Sequence, residues 1–277
     1  MSFIRYEESR PEEMRAMLKS APIAYVPFGA LEWHGEHAPL GLDSIKAHAL
    51  CEAAAGRTGG VVFPAVYWGA FDTMPFPFTF NFRKTPHRNL IRETLRQLKE
   101  WGFKAIVLLA GHYPPAQVRL MRSECRRFNK AGEAFAFGAP EQVFALDIEY
   151  YGDHAGMWET SILMAIRPEL VNLSAMPGGL TAVERLEKYG VMGQDPTSEA
   201  SSEKGRMAIE HIAGELADVV QRVMKENNDR AFEEVYERYR KTMNYFSVRI
   251  IDVGRKALGV QSIRELIRYG VWMLRHF

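Results

Sequence analysis

The chain has 277 residues, 47% of them hydrophobic and 25% charged; this excludes a disordered or fibrous protein and suits one large α/β domain, alone or with an appendage. Thirty-five basic against thirty-four acidic residues leave a net charge of +1, so binding driven by nucleic acid or an anionic membrane is not expected. The expected partner is a small molecule.

In chain order, the first eight residues lack the continuous apolar stretch of a signal peptide, and no run of eighteen apolar residues follows anywhere. Residues 23–29 form a short apolar run, and residues 43–56 give a helical pattern for which Asp43 and Ser44 would serve as the N-cap pair. A second buried strand is predicted over 61–66. Ile91, Leu95 and Leu98 share one face of a helix over 86–101, and the unbroken apolar stretch 105–110 is a third strand, ended by Gly111 and His112. A helix over 115–130, a strand over 134–137 and a helix starting near Trp158 continue the alternation, which predicts a doubly wound, mostly parallel sheet flanked by helices.

Residues 174–205 are rich in Gly, Pro, Ser and Thr and read as long loops able to cover a site. A helix returns over 203–224. Asn227, Asn228 and Asp229 mark a boundary that divides the chain into 1–226 and a C-terminal helical extension, 227–277. In the extension, Phe232, Val235, Tyr236 and Tyr239, then Ile263, Leu266, Ile267, Val271 and Leu274, trace two amphipathic helices. Cys51 and Cys125 fall in helical segments without a second cysteine nearby, so they read as core thiols of a protein in a reducing cytoplasm.

Glu32, His34, Glu36, His37 and Asp43 crowd two histidines and three carboxylates into twelve positions just after the first strand. Glu32 and His34, spaced i and i+2, would point to one side of an extended segment, and Gly35 lets the chain turn back. Oxygen and neutral nitrogen donors without thiolates favour zinc, manganese, iron or magnesium. His112 ends a neighbouring strand, so two segments converge at the carboxyl edge where open α/β sheets place their sites. A second cluster, Asp153 to Ser161, sets His154 and Glu159 at the start of a helix as acid–base or substrate groups. His37 is read either as a group orienting the ligands or as structural; His48, His87, His211 and His276 have no partner at ligand spacing. Arg119, Arg122, Arg126 and Arg127 are read as a solvated helix face.

These motifs resemble those of the creatininase (creatinine amidohydrolase) family. The resemblance rests on Pro27 to Asp43, on Ala110-Gly111-His112-Tyr113, on His154-Ala155-Gly156 with Glu159-Thr160-Ser161, and on Ser198 to Gly205 with the helix after it, spanning roughly residues 20–225. It implies a doubly wound fold, a homo-oligomer (a hexamer in the family), and two metals bridged by an aspartate. Glu32, Asp43 and His112 would hold one metal; His34 and Asp43 would hold the other. Where the family has a metal-binding glutamate this chain has Pro114, and Glu159 is the candidate replacement, so one or two zinc, manganese or iron ions per chain are expected.

For the substrate, the resemblance implies that Tyr113 lines the pocket and that Tyr150 takes the place of a stacking tryptophan. The segment Gly69 to Thr79 departs from the family pattern, which directs attention to Trp68 and Asp72 as new pocket groups and away from creatinine itself. The expected reaction is hydrolysis of a C–N bond in a cyclic amide or formamide by metal-activated water, with His154 or Glu159 delivering the proton. The alternatives are C–C cleavage of a keto-inositol ring and a non-catalytic metal-binding or peptide-maturation partner.

Overall fold

The computed structural model describes residues 2–276 apart from 69, 70, 72 and 249, with the side chains of 245–253 also outside the description. Five strands form one parallel sheet in the order β1-β3-β2-β4-β5: β1 Phe3–Arg5, β2 Ile23–Phe28, β3 Gly60–Val62, β4 Ala105–Ala110 and β5 Phe135–Pro140. The helices are α1 Pro11–Ser20, α2 Leu42–Thr58, α3 Lys84–Glu100, α4 Pro115–Asn129, α5 Met157–Ile166, α6 Ala182–Tyr189, α7 Pro196–Glu199, α8 Ser202–Glu226, α9 Arg230–Val248, α10 Ile250–Leu258 and α11 Ile263–His276. The doubly wound sheet expected from the alternation is present.

Strict alternation along the strands builds two cores. Tyr25, Val107, Leu109 and Phe137 face one way and meet Leu50 and Ala54 of α2, Ile212 and Leu216 of α8, and Phe232 and Tyr236 of α9. Val26, Ile106, Leu108 and Ala136 face the other way and meet Met17 of α1, Ile91 and Leu95 of α3, and Leu120 and Met121 of α4. Because β2, β4 and β5 are buried throughout, they read as continuous apolar runs. Each fully buried large side chain contributes roughly 1.5–3 kcal/mol.

Several boundaries differ from the sequence reading. The strand expected over 61–66 ends at Val62, since Pro64 has no N–H for a ladder. The short β1 and α1 precede the first predicted element, and residues 174–205 contain α6 and α7 between their loops. In the extension the described residues are helical over 230–248, 250–258 and 263–276. Helix α2 starts at Leu42 with Gly41 as its N-cap and no capping side chain; the Asp43 carboxylate turns instead toward two histidines.

That turn decides where the site lies. From β2 the chain crosses through α2 to β3 on one side, and from β4 through α4 to β5 on the other, so connections diverge at the carboxyl ends of β2 and β4, a crevice that α/β sheets use for ligands. Two glycines let the first turn of α2 close onto these ends: a Cβ on Gly111 would sit 2.1 Å from the Asp43 carbonyl oxygen, and one on Gly29 would sit 2.3 Å from the Ser44 nitrogen.

Candidate metal centre

Glu32 and His34 leave β2, Asp43 lies in the first turn of α2, His112 follows β4, and His154 and Glu159 flank the start of α5; all but the half-buried His154 are buried. Donor atoms of Glu32, Asp43 and His112 lie within 4.8 Å of one another, and so do those of His34, Asp43 and Glu159. Asp43 belongs to both triads. A third grouping joins Glu32, His34 and His154.

The local bonding prepares these groups. His34 Nδ1 is 2.9 Å from the Glu32 carbonyl oxygen and Nε2 is 3.0 Å from Asp43 Oδ1; a proton given to the carbonyl leaves the Nε2 lone pair for a cation. His112 Nδ1 lies 2.8 Å from Glu32 Oε2 and 3.3 Å from Asp43 Oδ2. The Met74 N–H donates to Glu32 Oε1 at 3.0 Å, and the N-terminal turn of α2 favours the Asp43 charge.

Burial opposes charge on both imidazoles, yet Asp43 and Glu159 raise His34 to about 9, and Glu32 and Asp43 raise His112 to about 10. Asp43 is driven the other way: burial opposes its charge, but His34 and His112 hold it well below the usual carboxylate range. Protonated histidines thus stand where the carboxylates call for cations, and a divalent ion would take over that role. Glu32 Oε2 and Asp43 Oδ2 are buried with the His112 ring as their ion-pair partner, and His112 Nε2 is buried without a hydrogen-bond partner. This buried set of carboxylate oxygens and imidazole nitrogens fits a divalent metal.

Around the triads lies a polar shell that the sequence reading missed. Lys46, fully buried one turn after Asp43 on the same face of α2, reaches Glu141 at 2.6 Å and Glu159 at 2.5 Å. Burial works against its charge, but Glu141 and Glu159 raise its pKa beyond the ordinary lysine value. Glu141, at the end of β5, is pushed up to about 7 by burial despite Lys46. Glu159 Oε1 also accepts from the Tyr113 hydroxyl at 2.9 Å, and its Oε2 accepts from the Ala155 N–H at 2.7 Å. Ala155 holds φ at +53°, a strained conformation of the kind found where a site over-determines the backbone. The i, i+3 spacing of Asp43 and Lys46 was the available signal.

His154 stacks on His34 with ring centroids 4.2 Å apart and approaches the Trp33 carbonyl oxygen through Nε2 at 2.6 Å. Burial and the neighbouring His34 lower its pKa. His37 is bonded to Thr160 Oγ1 at 3.1 Å and belongs to none of the three groupings.

A cavity of about 500 Å³ opens onto Glu32, Asp43, His112, His154 and Glu159 and is also lined by Tyr113. Two expected substrate residues are elsewhere. Tyr150 is fully buried outside the cavity lining, its hydroxyl donated to Glu141 and its ring stacked on Trp158, because this position packs inside the shell around Lys46. Trp68 is 57% exposed and packs edge-on against Phe80 and Phe82, away from the cavity. Asp72 lies outside the described residues.

The family model for creatinine amidohydrolase matches residues 7–220. The chain belongs to the creatininase family. It is therefore a metal-dependent hydrolase, and the motif resemblance holds. Among its relatives, creatinine amidohydrolase of Pseudomonas putida is 26% identical over 235 residues, covering 72% of this chain and 88% of that one. Mycofactocin precursor peptide peptidase of Mycolicibacterium smegmatis is 30% identical over 242 residues, covering 77% and 90%. A crystal structure of creatininase shares the fold with a TM-score of 0.69 at 24% identity, covering 79% of this chain and 97% of that one; creatininase structures of manganese and zinc–zinc type align with TM-scores of 0.66 and 0.65. Among the described residues, no helix of this creatininase-family chain is long and apolar enough to cross a membrane.

Proposed function

We propose that this creatininase-family hydrolase cleaves a C–N bond in a cyclic amide or formamide. The observation that carries the reading is the pair of donor triads sharing Asp43 at the head of the cavity. Glu32, Asp43 and His112 would hold one ion; His34, Asp43 and Glu159 would hold a second, with Glu159 serving in place of the glutamate that Pro114 cannot supply. A bound divalent ion would lower the pKa of water from about 15.7 toward roughly 7 and polarise the substrate carbonyl.

The chain's own groups complete the chemistry. Water adds its oxygen to the carbonyl carbon, the C–N bond breaks, and the nitrogen departs with a proton from the His154 side chain. Burial and the neighbouring His34 lower its pKa and favour the neutral imidazole, which takes the proton that the attacking water releases and passes it to the leaving nitrogen. The Tyr113 hydroxyl and Lys46 bind Glu159 Oε1, so that Oε2, 3.7 Å from His34 Nε2, is the oxygen that would be left to hold a second ion. C–C cleavage of a keto-inositol ring would use the same donors, and a panel comparing a lactam, a formamide and a keto-cyclitol separates the two readings.

Metal content by plasma mass spectrometry on protein purified without added metal tests the centre. Two ions per chain falling to one in Glu159→Ala is the expected result. One ion in both proteins removes Glu159 from the ligands, and none in either overturns the catalytic reading in favour of a non-catalytic partner.

We further divide the chain at residue 227, supported by a family match that stops at residue 220. We place it in the cytoplasm as a homo-oligomer. The two buried free thiols, Cys51 and Cys125, support a reducing compartment, and the exposed aromatics Trp68, Phe78 and Phe80 support self-association.

A further inference from the structure

The cavity at the metal centre is not closed by the family-matched part of the chain alone. Tyr239 and Met243 of α9 and Met273 of α11, all beyond residue 220, line it together with Met74 and Met192. The wall is anchored: Met74 packs with Val183 and Leu186 of α6 and Tyr269 of α11, and Met192 and Met273 pack against the same cluster. Met192 is further tied to His154 by two backbone hydrogen bonds of 2.9 and 2.8 Å. Every carboxylate and imidazole lining the cavity belongs to the polar cluster of Glu32, Asp43, His112, Asp153, His154 and Glu159. The added wall contributes thioethers and a phenol ring.

Resting on the amide-hydrolysis reading above, we propose that the C-terminal helices build a subsite for a bulky, uncharged apolar arm of the substrate, of the kind a leucine or phenylalanine side chain provides. Three features carry this. A cavity of about 500 Å³ lies within the roughly 300–1,000 Å³ range of sites that enclose drug-sized ligands, much larger than a bare five-membered lactam. A methionine wall without charge stabilises an apolar arm and penalises a charged one, which would lose hydration without gaining a partner. Methionine is unbranched and polarizable, so four of them adapt to arms of differing shape; aliphatic and aromatic arms are both taken.

The test uses N-formyl-glycinamide, -alaninamide, -leucinamide and -phenylalaninamide with the metal-loaded full-length protein, following free amine by chromatography. The expected result is a kcat/KM for the leucine and phenylalanine compounds at least about tenfold above that for glycine, the low end for added methylene groups in an apolar pocket. In Met243→Ser/Met273→Ser that ratio collapses toward unity, and in the conservative Met243→Leu it is kept. Turnover with no dependence on the arm, or a ratio unchanged in the double serine variant, overturns the subsite while the amide reaction stands. If no compound is hydrolysed, the amide reading fails by itself, and calorimetric titration with the same four compounds decides the subsite. Tighter binding of the leucine and phenylalanine compounds, lost in the double serine variant, supports it; equal binding of all four overturns it.

Discussion

The two faces of the sheet each bury a basic side chain, and they treat it in opposite ways. On the α2 face, Lys46 is surrounded by Glu141, Glu159 and the Tyr113 ring, 4.9 Å from its ammonium, and is held charged. On the α3 face, His87 lies edge-on to Phe28 and Phe71, neither ring nitrogen has a hydrogen-bond partner among the described residues, and burial lowers its pKa to about 4. Desolvation acts on both groups, and a counter-charge within hydrogen-bond reach reverses the outcome for one. A buried cation is thereby kept on the side of the sheet where it binds Glu159, while the imidazole on the opposite face is left neutral.

The hardest break comes where the donor triads meet. Asp43→Ala removes the carboxylate shared by both, and metal content and turnover should fall together, turnover by more than about a hundredfold, since loss of a supporting group alone already costs about 10- to 100-fold. Mass spectrometry alongside an amide assay checks this; full metal content with full activity would place the centre elsewhere. Next, Lys46→Met leaves Glu141 and Glu159 buried without their cation and should destabilise the fold by about 3–5 kcal/mol in urea unfolding. Adding Glu141→Gln should restore part of the loss. A single variant as stable as the wild type would erase the contrast between the faces.

The smallest effect sharpens the contrast through pH. His87 has a folded pKa of about 4 against an ordinary value of 6.5, so between these limits the unfolded chain binds more protons. Stability contributed by this group is therefore present above pH 6.5 and lost as pH falls toward 4, by about 2 kcal/mol between pH 7 and pH 5. His87→Leu should show a correspondingly shallower acid limb in urea unfolding at the two pH values, and an unchanged limb would mean that the imidazole finds a proton acceptor in the fold.

Much of this was legible in the residues because it depends on local pattern. Unbroken apolar runs marked β2, β4 and β5, and the Glu32, His34, Asp43 and His112 motifs marked the groups that the structure brings within 4.8 Å in its triads. Misreadings had local causes. Asp43 has the residue type of an N-cap, but Gly29 and Gly111 let α2 dock so closely that its carboxylate meets His34 and His112 instead. Tyr150 has the ring of a stacking residue, but it is spent inside the Lys46 shell.

By itself, the sequence determined the doubly wound order and the family, because periodicity and side-chain chemistry are properties of short segments. Only the tertiary structure decided that Lys46 stays charged and His87 neutral, and that Met243 and Met273 share a cavity with Glu32. Those outcomes depend on which distant groups surround a buried atom, since burial sets the cost of a charge and the neighbours brought in by folding set the compensation.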